Sequence, residues 1–410
     1  MSNRVVVTGY GAITPLGTDI ESTWENLIAG NSGISYISLF DTTNFTVRIA
    51  AEVKDFDPFK YLDPSVAKYT DRFTHFAIAA SLQAIDSAKL KVGEDNRYDI
   101  GIIIGSGIGG LTTLSRQMEI LFTRGPNRVS PYLVPMMIAD NAPSRVSMIL
   151  GVRGTNLSLA TACSTGADAI GLAYLLIKHG VYKAVIAGGA DAAITPIGIA
   201  GFAQAGALSK NPDPTKASRP FDAKRDGFVI GEGAGVMVLE SLDYALSRNA
   251  KILAEIVGYG ATSDAFHITQ PAEDAEAAAR AIQLSLAQAN GMTVDYINAH
   301  GTSTPLNDIT ETRAIKKVFG SAAYNIPISS TKSMMGHMLG AAGAVEVIIC
   351  CKVIAEGIIP PTINLEHPDA ECDLDYVPNK AREKNVQLAL SNSFGFGGHN
   401  SVLAISRFQS

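Results

Sequence analysis

Along the chain, short β-branched runs alternate with longer stretches of alanine, glycine and aliphatic side chains. "VVVTG" (5–9), "IGIIIG" (100–105) and "AVIAG" (184–188) carry almost no polar positions. A strand with that pattern has both faces covered by helices. The stretches 163–179 and 339–356 are Ala/Gly-rich and almost uncharged at their start. A helix that is apolar all round is buried on every side. The pattern predicts an α/β body with two sheets and these helices sandwiched between them.

The pattern also occurs twice. "VVVTGYGAIT" (5–14) is echoed by "AEIVGYGATS" (254–263), and "YDIGIIIGSGIGG" (98–110) by "VDYINAHGTSTP" (294–305). The segment around "TACSTGADAIG" (161–171) is echoed by "IPISSTKSMMGHMLGAAGAVEVI" (326–348). "KAVIAGGADAAIT" (183–195) is echoed by "QLALSNSFGFGGHN" (387–400). Four echoes in one order predict a duplicated unit, with halves at 1–250 and 251–410. The polar stretches 91–99, 209–220 and 366–385 read as surface loops. With no flexible linker between them, the halves are expected to share one body.

Composition narrows the function classes. Hydrophobic residues make up 47% of the 410 and charged ones 18%, which is the balance of a globular chain. A net charge of −6 argues against general nucleic-acid binding. Four cysteines without regular spacing make no disulfide framework and suit a reducing cytoplasm. The amino terminus lacks the long apolar region of a signal peptide. Asp191 and Glu346 interrupt the longest apolar stretches, so no membrane insertion is expected.

The candidate chemistry starts at Cys163, a thiol at a strand–helix junction among very small neighbours. A helix amino terminus favours a thiolate, and the small neighbours admit a substrate carbonyl. A buried cysteine serving as a small apolar residue is the competing reading of this stretch alone. Two histidines follow the same grammar: His300 in "NAHGTSTP" and His337 in "SSTKSMMGHMLGAAGA" both follow strands. Strand carboxyl ends are where open α/β sheets place ligands. His75 and His179 lie within or at the end of helices and read as structural. No short metal pair occurs, so zinc on Cys163, His300 and His337 is disfavoured. In "SNSFGFGGHN" (391–400), three glycines let backbone N–H groups turn inward as oxyanion donors, and Phe394 and Phe396 are either core or a gate. The G-x-G-x-x-G at Gly105, Gly107 and Gly110 mimics a dinucleotide fingerprint, but no Asp or Glu occurs from Ile120 to Ala139 to serve a ribose. These glycines are better read as letting a chain pass close to the backbone.

Together "ATACSTG", "NAHGTSTPLND", "SSTKSMMGHMLGAAGAVE", "SNSFGFGGHN" and "RPFDAKRDGFVIGEGAG" (219–235) resemble the β-ketoacyl-acyl carrier protein synthases, in particular their elongating type II members. The resemblance spans essentially the whole chain. It implies the thiolase-like fold, a layered α-β-α-β-α body of duplicated βαβαβ halves. It implies an acyltransferase of fatty acid chain elongation: Cys163 holds an acyl chain, and malonyl-acyl carrier protein loses CO2 and condenses with it. By the same resemblance His300 and His337 donate hydrogen bonds to the malonyl thioester oxygen. Lys332 supports them, with Asp308 and Glu346 in its polar network, and Phe396 acts as gate. Thr302 and Thr304 would hold the phosphopantetheine arm; Ile108, and Leu133 from a partner subunit, would border the acyl pocket. Lys68, Arg72, Arg124 and Arg128 are candidates for docking the acidic carrier protein. No cofactor is implied beyond that arm, and no catalytic metal. Asn298, Ala299, Glu346, Ser391 and Asn392 match a place where some relatives hold a structural cation. His399 stands where many relatives carry Thr. A homodimer is implied.

Competing readings remain at this level. A thiolase needs a second cysteine near the final glycine loop, and none is there. Initiating synthases use Asn where this chain has His337. A chain-length-factor subunit would lack the nucleophile, and a specialised polyketide-type ketosynthase would share the whole constellation.

Overall fold

The computed structural model describes residues 2–409. Ten strands form one mixed sheet: β1 (Val5–Ile13), β2 (Ile100–Gly105), β3 (Asn156–Leu157), β4 (Ala184–Asp191), β5 (Gly233–Ser241), β6 (Ala254–Ser263), β7 (Tyr296–Asn298), β8 (Ile328–Ser329), β9 (Leu388–Gly395) and β10 (His399–Ser406). Their order is β8-β7-β9-β10-β6-β1-β5-β4-β2-β3. Outward from the centre, β1, β5, β4, β2, β3 mirror β6, β10, β9, β7, β8. Strand directions match too: β2 runs parallel to β3 and β4, as β7 does to β8 and β9. The four pairs of sequence echoes fall on equivalent positions of this arrangement.

The expected pair of separate sheets is thus one sheet. The halves join where Val5–Val7 pairs antiparallel with Ala254–Ile256, a contact three residues long. So short a seam lets the sheet fold around its centre and enclose helices. Four helices build the layers: α1 (Arg72–Ala88), α2 (Thr165–Lys178), α3 (Glu276–Leu286) and α4 (Ala342–Glu356). α2 and α4 lie inside, each packed on strands of both halves and on the other. Every residue from Ala342 to Ile354 is buried. Gly166 and Gly343 make the inner helix crossing possible: a Cβ on Gly166 would sit 2.7 Å from the Gly340 oxygen, and one on Gly343 2.9 Å from Ala167. α1 and α3 cover the outer faces.

The repeated Gly-Tyr-Gly has a packing cause. A Cβ at Gly9 or Gly11 would lie 2.3 Å from a backbone oxygen of α1, and one at Gly258 or Gly260 2.1 Å from a backbone oxygen of α3. Glycine there lets the outer helix touch the strand backbone, and the intervening tyrosine points to the inner layer. The G-x-G-x-x-G stretch is close-packed in the same way. A Cβ on Gly105 would be 2.2 Å from Thr165, and one on Gly107 3.1 Å from the Asp191 carboxylate.

Residues 366–385 are not merely a surface excursion. Tyr376 is buried, stacks on Phe221 at 3.8 Å and shares a 2.6 Å hydrogen bond with Thr312. Its aromatic ring supplies apolar area that outweighs the polar sequence around it. Among the described residues no helix is long and apolar enough to cross a membrane.

Candidate active site

Three elements from the two halves converge at the strand carboxyl ends. Cys163 lies in a 3-10 turn, Ala162–Ser164, that leads into α2. Ala162 has φ +50°, an unusual left-handed conformation for a residue with a Cβ, as expected of a sharp elbow. His300 follows β7. Its N–H and that of Gly301 donate to the two oxygens of Glu311, at 2.9 and 2.7 Å. His337 follows Gly336, whose φ is +65°; its N–H donates to the Val229 oxygen at 2.7 Å. Backbone bonds to fixed partners thus place both rings.

Cys163, His300 and His337 line one cavity of about 320 Å³, with Thr302, Thr304, Phe228, Phe394 and Phe396. The two imidazole rings are 5.3 Å apart and nearly perpendicular. Phe228 packs edge-on to His337 at 5.2 Å, and Phe394 lies 6.0 Å from His300. Burial, reinforced by the Lys332 ammonium, holds both imidazoles well below the usual histidine range. They are therefore neutral, and each has one N–H to donate. Lys332 and Glu346 are both buried and form an ion pair. Burial pushes the Glu346 carboxyl up to about 7 against the pull of Lys332.

The thiol corrects an expectation. Burial pushes Cys163 up to about 11, with the Phe396 N–H and Lys332 pulling the other way. Loss of water around the sulfur works against the thiolate that a helix end favours. The Phe396 amide still points at the sulfur. Its loop is shaped by Gly397 (φ +81°) and Gly398 (φ +74°) and is tied down by Gly397 N–H to the Ile268 oxygen at 2.7 Å. Asp264 accepts from Asn400 Nδ2 at 2.6 Å and from the Ala272 N–H. A buried nucleophile, two neutral donors and inward amides form a site for chemistry at a thioester carbonyl.

Family comparison decides the kinship. Residues 2–245 match the β-ketoacyl synthase N-terminal domain and residues 253–366 the C-terminal domain. The chain belongs to the β-ketoacyl synthase family.

The synthase is 54% identical over 410 residues to the 3-oxoacyl-acyl-carrier-protein synthase 2 of Synechocystis sp., covering 99% of this chain and 98% of that one. Among solved structures it is similar to a β-ketoacyl synthase from Burkholderia phymatum STM815 (35% identity, TM-score 0.92, 99% of this chain and 100% of that one). It is also similar to a chain of AntDE:AntF, a type II polyketide acyl-carrier protein in complex with its ketosynthase (33% identity, TM-score 0.91, all of both chains). These neighbours carry the thiolase-like fold expected from the motifs.

The remaining candidates separate. Thr302 and Thr304 share a 2.9 Å hydrogen bond on the cavity wall. Ile108 and Leu133 do not line the cavity; Ile108 is 38% exposed and Leu133 half-buried. Asp308 is not in the Lys332 network. It accepts from the Phe221 N–H at 2.8 Å and lies 3.7 Å from Arg225, which also binds Asp369 at 2.6 Å. Three residues on, Glu311 on the helix Pro305–Phe319 faces His300 and accepts its backbone N–H. The Arg72 guanidinium is engaged inside the chain, by Glu232 at 2.6 and 2.9 Å and by the Val53 oxygen. Lys68, Arg124 and Arg128 are exposed, and none lines the cavity mouth. His75 bonds Thr70 at 2.9 Å, away from the cavity. Glu311, Phe228 and Asp264 were missed. Glu311 left a signal, an acid one helical turn from Asp308 in "NDITE", and Phe228 stands within the motif "RPFDAKRDGFVIGEGAG".

Proposed function

We propose that the synthase extends acyl chains by decarboxylating Claisen condensation in fatty acid synthesis. Cys163 Sγ attacks the thioester of an acyl-acyl carrier protein; the phosphopantetheine thiol leaves with the proton of Cys163. Malonyl-acyl carrier protein then occupies the cavity, its arm along Thr302 and Thr304. Loss of CO2 leaves an enolate whose oxygen is held by the N–H groups of His300 and His337. The enolate carbon attacks the Cys163 thioester, a C–C bond forms and the thiolate is released. The amides of Cys163 and Phe396 hold the tetrahedral oxyanion. Lys332 acts electrostatically through Glu346, and Phe396 gates entry.

The observation that carries this reading is the single cavity shared by the sulfur and both rings. The test is an elongation assay with defined acyl-carrier proteins and mass spectrometry of Cys163. Cys163→Ala should abolish extension, and His300→Ala or His337→Ala should cut malonyl decarboxylation about 100-fold or more. A His337→Ala enzyme that extends chains normally overturns its role. Absence of any acyl adduct on Cys163 would leave the chain-length-factor reading.

The reading includes a homodimer. Met118, Phe122, Tyr132, Val134, Ile138, Met148, Ile149 and Leu157 are large apolar side chains exposed on one stretch of chain that ends at edge strand β3. A second copy on this face would cover them and bring Leu133 to its neighbour's acyl pocket. It also includes a cation. Asn298 Oδ1, Glu346 Oε2, Ser391 Oγ and Asn392 Oδ1 are buried without hydrogen-bond partners. A hard cation beside Ala299 would satisfy those oxygens, and its role would be structural. The four free cysteines fit work in the cytoplasm.

A further inference from the structure

The two tyrosines of the repeated Gly-Tyr-Gly have no part in the chemistry above. Tyr259 reaches from β6, in the second half, across to α2 in the first. Its ring lies so close over Gly171 that a Cβ there would be 2.3 Å away. Its hydroxyl donates to Asp168 Oδ1 at 2.8 Å. Asp168 is the one charged residue between Ser164 and Ile177. Its other oxygen accepts from Thr161 Oγ1 at 2.5 Å and from Ser164 Oγ at 2.9 Å. Thr161 caps the turn that carries Cys163 and the left-handed Ala162, and Ser164 ends it. One carboxylate therefore closes the strained elbow from below, and one tyrosine aims the carboxylate.

We propose that Asp168 is a positioning residue for Cys163 and that Tyr259 acts through it, so the second half sets the angle at which the nucleophile is presented. This rests on Cys163 being the acylated residue. Without the clamp the turn relaxes toward ordinary φ values, and Sγ shifts relative to the Phe396 amide. A displacement of about 1 Å in a reacting atom costs on the order of 100-fold in rate. His300 and His337 are held by Glu311 and by the Val229 backbone, so their chemistry is untouched.

The experiment separates the two half-reactions in the full-length enzyme. Single-turnover acylation of Cys163 by acyl-acyl carrier protein is followed by mass spectrometry, and malonyl decarboxylation by CO2 release. Asp168→Ala should slow acylation about 10- to 100-fold at saturating substrate, with decarboxylation within about twofold of wild type. Tyr259→Phe should slow acylation about 3- to 10-fold, and should add nothing in an Asp168→Ala background. Asp168→Asn, which keeps one acceptor oxygen, should recover part of the rate. Wild-type acylation in Asp168→Ala overturns the proposal, as do equal losses in both half-reactions or full additivity with Tyr259→Phe. If Asp168→Ala fails to fold, Tyr259→Phe removes a single oxygen and decides the matter alone. A wild-type enzyme that never acylates Cys163 sinks the underlying function instead.

Discussion

At the scale of single residues, the nucleophile and both hydrogen-bond donors are neutral groups. Cys163, pushed up to about 11 by burial, is a thiol at neutral pH. Alkylation by iodoacetamide should therefore keep rising between pH 7 and 9, close to tenfold per unit, because only the thiolate reacts. A plateau below pH 8 would show that the sulfur is far more acidic than its burial implies. The histidines give the complementary expectation. Both rings are held well below the usual range, so malonyl decarboxylation should show no acidic limb near pH 6.5. An ordinary histidine titration in that profile would mean that a charged imidazolium takes part.

At the scale of elements, the decisive contacts are backbone approaches that only glycine allows. Gly11 faces the Ala80 oxygen of α1 and Gly260 the Ala281 oxygen of α3, each too close for any Cβ. Gly11→Ala and Gly260→Ala should each destabilise the fold by about 1–3 kcal/mol, since either the strand or the outer helix must shift. Urea unfolding would measure it, and an unchanged midpoint would show that the helix yields freely. Glycine in a strand reads as a bulge or a close approach, so these positions carried a message in the sequence. Which helix came close did not show, because α1 is nearly sixty residues from β1 in the chain.

At the scale of the whole molecule, two effects are global. One is pH-dependent stability. The unfolded chain protonates its histidines near pH 6.5 and the folded chain does not protonate His300 or His337, so acidification below about 6.5 favours unfolding, by about 1.4 kcal/mol per pH unit for each ring. Asp191 and Glu311, raised by burial to about 6 and 7, act in the opposite sense: their ionisation costs stability as pH rises from the ordinary carboxylate range through those values. A His300→Asn/His337→Asn enzyme should accordingly lose less stability than wild type between pH 7 and 5. The other effect is assembly: Leu157→Lys on the exposed edge strand should convert the proposed dimer to monomer in light scattering, and an unchanged mass would place the interface elsewhere. By itself the sequence determined the doubly covered strands, the duplication, and the cysteine, histidine and glycine-loop motifs, because each is a local pattern whose period or composition survives without neighbours. The tertiary structure alone decided that the halves share one sheet, that Glu311 braces the His300 backbone while Asp308 turns to Arg225 instead of Lys332, that Arg72 is tied to Glu232, and that burial raises the thiol. Those outcomes depend on which side chains meet across hundreds of residues and on how much water is left around them, and no local pattern encodes either.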